Sequence, residues 1–136
     1  MFKSILASTI LMNFAAHATA GPFEDGVGFY KIGYYVSAMK AWQPLANAGH
    51  AQAQANIGVM YRDGQGVPVR PIDAYMWFSL SAQNGDRNAA LERDLIARGF
   101  TPEQLTEAQR RVREWSQKRE DEKMKREMAN PGSRAR

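Results

Sequence analysis

A chain of 136 residues, 44% hydrophobic and 24% charged, has room for one folded domain and too much apolar content for global disorder. It has no cysteine, which excludes disulfides, thiol nucleophiles and thiolate zinc sites together. The formal net charge of +4 arises mainly from Lys118 onward, where Lys and Arg are mixed with Glu and Asp. That is the pattern of a solvated helix and not of a nucleic-acid footprint, so no nucleic-acid partner is expected.

The first twenty residues read as a secretory signal peptide. Lys3 supplies a positive start, Ile5 to Ala16 is almost entirely apolar, and Ala18-Thr19-Ala20 provides the small residues of a cleavage site. The apolar core is shorter than the roughly 20 residues needed to span a bilayer. Cleavage after Ala20 would leave a chain beginning at Gly21 with no transmembrane segment, located in the periplasm or secreted.

Helical patterns follow one another from Pro22. The first pair is expected at about Pro22 to Ile32 and Tyr35 to Ala48, turning at Gly33. Pro44 lies well inside the second of these and should kink or split it. A second pair covers about Ala51 to Arg62 and Pro71 to Asn84, joined by the Gly-rich turn Asp63-Gly64-Gln65-Gly66-Val67. A helix from Asp86 to Ala97 ends at Gly99. Thr101-Pro102-Glu103-Gln104 then restarts helix formation with a capping box and a proline at the first position. Leu105, Ala108, Val112 and Trp115 share one face of this last helix, which is expected to close the open end of the stack. Beyond Trp115 the pattern becomes charged. Asp121 with Lys125, and Glu122 with Arg126, are i,i+4 pairs suited to an exposed helix, and Asn130 to Arg136 is expected to be disordered. The organisation is thus a leader over 1–20, a helical domain over 21–115 and a charged extension over 116–136.

The spacings repeat. Gly49 and Gly85 are 36 residues apart (85 − 49), Trp42 and Trp77 are 35 apart (77 − 42), and Tyr30 and Tyr61 are 31 apart (61 − 30). A period in the thirties with one helix pair per unit indicates an all-α, right-handed αα-hairpin solenoid of the tetratricopeptide-like kind. About two to two and a half repeats and a long C-terminal closing helix are expected.

The residues also match a known family. Ala53-Gln54-x-x-Ile57-Gly58-x-x-Tyr61-x-x-Gly64-x-Gly66-Val67, followed by Ala74-x-x-Trp77-Phe78 and Ala82-x-x-Gly85, resembles the Sel-one-like repeat. Gly26-x-x-x-Tyr30-x-x-Gly33-x-Tyr35-x-x-Ala38-x-x-x-Trp42-x-Pro44-Leu45-Ala46-x-x-Gly49 resembles the truncated opening repeat of its exported bacterial members, and Thr101-Pro102-Glu103-Gln104 through Trp115 resembles their closing segment. The resemblance covers roughly residues 23 to 115. Arg70, His50 and Tyr34 stand where the family usually has Asp, and Ser81 where it has Ala. The Arg70 change removes the usual cap of the following helix, and the others should matter little for the fold. The family shares a scaffold and not a reaction, so the resemblance implies a periplasmic protein-protein interaction module that holds a peptide or protein partner in a helical groove.

No catalytic residue, metal site or cofactor is expected. Ser37-Ala38-Met39-Lys40 matches the S-x-x-K pattern of penicillin-recognising enzymes, but the S-D-N and K-T-G partner motifs are missing. A cell-envelope protein that binds or hydrolyses peptidoglycan or penicillin is therefore the alternative reading. Asp63-Gly64-Gln65-Gly66 lacks the endings of a phosphate loop and the carboxylates of a calcium loop. His50 has no metal-binding or triad companions and reads as a turn residue. With Ala53, Ile57, Gly58 and Tyr61 turned inward, Gln52, Asn56 and Val59 are left facing the groove, and Tyr34 at the repeat turn joins them as a candidate contact. The N-terminal helix has no cap of its own, so a partner or a second copy in a homodimer is expected to cover it.

Overall fold

The computed structural model describes residues 21–130 and 132, so the expected leader over 1–20 and most of the segment expected to be disordered lie outside the described residues. The described residues are all-α. They form α1 (Pro22–Lys31), α2 (Tyr35–Asn47), α3 (Ala51–Asp63), α4 (Pro71–Gln83), α5 (Arg87–Ala97) and α6 (Pro102–Ala129).

Local chemistry sets the helix starts. Proline takes the first position of α1, α4 and α6, where its missing N–H removes no helical bond. Thr101 and Gln104 cap α6 reciprocally, at 3.2 and 2.9 Å. Asp86 caps α5, and His50, expected only as a turn residue, caps α3 by accepting from the Ala53 N–H at Nδ1. Arg70 supplies α4 with no side-chain cap, as expected. In the turn between α3 and α4, Gly64 and Gly66 both have φ of 72°, a conformation that costs a side-chain-bearing residue about 1 kcal/mol or more.

Pro44 does not split α2. The helix continues through it to Asn47, so the expected break is absent. Only one N–H is lost there. The Pro44 and Leu45 carbonyls accept from the Ala48 N–H, and the Ala46 carbonyl accepts from Gly49 N–H and from the buried Gln54 amide.

Each helix packs on its successor from α1 to α5, and α6 packs on α4. Contacts between opposite ends make neighbours antiparallel: Trp42 Nε1 donates to Phe23 O at 3.0 Å, and Ser81 Oγ donates to Ala51 O at 2.7 Å. Alternate helices are parallel. Phe23 stacks on His50 while Tyr30 donates to Gln65, and Asp73 meets Arg111 while Trp77 meets Trp115 edge-on. The Ser81 bond ties the end of α4 to the start of α3, so Ser81, expected to matter little for the fold, joins two helices.

The closing helix departs from expectation. Ala108, Val112 and Trp115 bury their face against the cluster containing Trp77 and Leu80, along α4, and leave the outer face of α5 uncovered. The expected i,i+4 pairs beyond Trp115 are replaced as well. Asp121 accepts from Gln117, and Glu122 from Arg119, because Arg119 is already held over the Trp115 ring at 5.1 Å.

Positions 36 apart play the same parts. Ala38 and Ala74 are fully buried, Trp42 and Phe78 are large buried rings, and Gly49 and Gly85 both have positive φ. Both rings press on a glycine of the preceding helix, Gly26 for Trp42 and Gly58 for Phe78. The counterpart of Trp42 is therefore Phe78 and not Trp77, which instead faces Trp115 on α6. Helix-end hydrogen bonds repeat at the same distance: the His50 N–H donates to Leu45 O, and the Asp86 N–H donates to Ser81 O.

Candidate functional site

The outward surface of α3 follows from its inward one. Ala53, Gln54, Ile57, Gly58 and Met60 are buried, so Gln52 and Asn56 point away from the core one turn apart, the first exposed and the second half-exposed. Val59 continues the line but is a packing residue. It rests on the cluster of Ala74, Phe78 and Ala89, which removes part of it from any groove.

Tyr34 is 62% exposed, but the structure does not bring it to Gln52. It sits in the turn after α1, beside the far end of α3. Gln52 is in the first turn of α3, a helix of 13 residues that spans roughly 20 Å. The four expected contact residues thus divide into a pair, Gln52 and Asn56, a packing residue and a distant tyrosine.

The 36-residue correspondence adds one residue that sequence reasoning missed. Gln52 maps onto Asn88 (88 − 52) on α5, which is exposed. Gln52, Asn56 and Asn88 form an amide-bearing strip across two neighbouring helices. Each amide both donates and accepts, the capacity needed to pair with the backbone of an extended peptide. Extending the period from helix ends to exposed positions was the signal that would have found Asn88.

One edge of the strip is held by charge. Arg62 donates to Glu92 of α5 at 2.7 Å and to both oxygens of Asp63, and its guanidinium lies 6.0 Å from the Phe78 ring. The hydrogen bond from Arg62 holds the Asp63 carboxyl below its ordinary range, and Asp63 in turn raises Arg62. The Arg62–Glu92 bond fixes α5 beside α3.

A second concavity lies where α6 passes the ends of α2 and α4. This cleft of about 510 Å³ is lined by Asn47, Gln83, Asn84, Trp115, Arg119 and Lys123 among others. Three cations (Arg119, Lys123, Arg126) face three carboxylates (Glu120, Glu122, Glu127) along its α6 wall, so it has no net sign with which to select a ligand. Ser37 is half-buried and Lys40 exposed on α2, and Ser37 makes no hydrogen bond to a base among the described residues. No group of three or more His, Asp or Glu is placed to hold a metal ion among the described residues. No helix among them is long and apolar enough to cross a membrane.

Comparison of the chain with protein-family profiles and with curated proteins finds no match.

Proposed function

We propose that this protein is an exported helical-repeat module of the Sel-one-like kind, which holds an extended segment of a partner protein along the amide strip of α3 and α5 and carries out no catalysis. The observation that carries this reading is the 36-residue equivalence of Ala38 with Ala74, Trp42 with Phe78, Gly49 with Gly85 and His50 with Asp86 in burial, backbone conformation or capping. Units that repeat a packing scheme stack side by side and present a continuous surface instead of an enclosed pocket. Export is supported by the Lys3, Ile5–Ala16 and Ala18-Thr19-Ala20 pattern.

The test is capture of the partner from extract of the native cells, followed by titration against Gln52→Glu with Asn56→Asp. We expect binding to weaken by tenfold or more while the melting temperature is retained, since surface substitutions usually change stability within about 0.5 kcal/mol. Binding indifferent to both changes would place the partner elsewhere. The intact mass of the protein from its own cells should correspond to a chain starting at Gly21.

A further inference from the structure

The two ends of the row formed by α1, α3 and α5 carry complementary faces that nothing among the described residues covers. Hydrogen bonds fix which positions correspond. The Tyr34 N–H donates to Phe29 O and the Gln65 N–H donates to Met60 O, each at 2.9 Å, which sets α1 and α3 31 positions apart (65 − 34). His50 caps the Ala53 N–H and Asp86 caps the Ala89 N–H, which sets α3 and α5 36 apart (89 − 53). Phe29, Met60 and Ile96 are therefore counterparts, as are Asp25, Asn56 and Glu92.

Within the chain, the forward side of α3 meets the rear side of α5. Ala55 and Val59 pack on the cluster that includes Ala89, Ile96 joins it from α5, and Arg62 donates to Glu92. The same forward positions on α5 are Leu91, Leu95 and Arg98. Leu91 is 64% and Leu95 54% exposed, values that mark an unfilled seat because their counterparts Ala55 and Val59 are packed. The rear side of α1 is bare too. Phe29 is 37% exposed where its counterpart Met60 is fully buried, and Asp25 stands exposed in the place of Glu92. Neither Asp25 nor Arg98 has an ion-pair partner among the described residues.

We propose that a second copy of the chain fills the seat, with α1 of one copy lying along α5 of the next. Phe29 then rests against Leu95, and Asp25 accepts from Arg98, in the places that Ile96 and Glu92 take beside α3. The acidic α1 position meets the basic α5 position, so both the charge and the apolar contacts are complementary. Residues 116–129 of α6 expose Met124 and Met128 but carry five cations and four carboxylates, so that segment has no negative excess to offer Arg98. The contact joins two different faces and does not close on itself, so association extends past a dimer. The seat adjoins the amide strip, because Leu95 lies two turns from Asn88 on the same face of α5, but Phe29, Asp25, Leu95 and Arg98 are not members of the strip, so their variants test this contact separately from partner binding.

The absence of native cysteine permits a direct test with Phe29→Cys and Leu95→Cys. Under mild oxidation, a mixture of the two single variants is expected to give a linked dimer, each alone to stay unlinked, and the double variant to give a ladder. In sedimentation, wild-type mass should rise with concentration. Arg98→Asp or Asp25→Arg alone should weaken association at least tenfold, and the two together should restore it, with melting temperatures confirming that every variant is folded. A wild type that sediments as a monomer at all concentrations would overturn the proposal. So would Leu95→Cys linking to itself as readily as to Phe29→Cys, or a double charge reversal that fails to restore association.

Discussion

Gln54 is the residue whose role is least expected from its type. It is fully buried, donating to Ala46 O at 2.9 Å and accepting from Asn84 Nδ2 at 3.0 Å, so a single side chain links the ends of α2, α3 and α4. No buried side-chain nitrogen or oxygen is left without a partner among the described residues. Replacing one partner of such a network strands the others. We expect Gln54→Leu to cost about 1–3 kcal/mol, read as a lower denaturation midpoint with unchanged slope. A neutral result would mean that water replaces the amide. Gly26 is a steric counterpart. A Cβ there would lie 2.2 Å from Trp42 Nε1, and the ring is pinned by its bond to Phe23 O. Gly26→Ala should cost about 1–3 kcal/mol through overpacking, even though alanine is the better helix former. A more stable variant would show that the contact relaxes at no cost.

At the scale of elements, the helices were legible where local chemistry decides them. Pro71, Pro102 and the Thr101–Gln104 box mark starts, and Gly49 and Gly85 follow the ends closely. Pro44 misled because the turn around it is also held from outside α2, by the buried Gln54 amide donating to Ala46 O. The course of α6 was hidden for a different reason: its apolar face shows that it packs, but not on which neighbour. It is tied to α4 by Asp73–Arg111, and Arg111 shares Glu107 with Arg110, which also pairs with Glu114. The hydrogen bonds from Arg110 and Arg111 hold Glu107 at about 2, below its ordinary 4.5. A depressed carboxylate contributes stability above its unfolded pKa, and that contribution is lost as pH falls through the folded value. The window therefore runs from 4.5 down to about 2. Wild type should lose melting temperature more steeply across it than Glu107→Gln, by a small margin because the group is exposed. Parallel curves would contradict a role for this carboxylate in stability.

Over the whole molecule, the described helices pack each on its successor from α1 to α5, and α6 returns along α4. The period was legible in Gly49 and Gly85, but the pairing of Trp42 with Phe78 was not. Trp77 and Phe78 are adjacent aromatics, and only the neighbours they face, Trp115 and Gly58, tell them apart. The candidate site was half legible for the same reason. Helical spacing identifies Gln52 and Asn56 as outward, but not that Val59 is covered by α4 and α5, that Tyr34 lies at the other end of α3, or that Asn88 joins the strip. Each of those depends on a neighbouring helix. The central claim is that this strip holds the partner. It is tested most directly by placing a photo-cross-linking amino acid at Gln52 in one variant and at Arg113, exposed on α6, in another, and irradiating each in the native cells. We expect a discrete adduct with another protein from position 52, none from position 113, and loss of the adduct when Asn56→Asp and Asn88→Asp are added. No adduct from position 52, or one that persists unchanged with both amides replaced, would contradict the account.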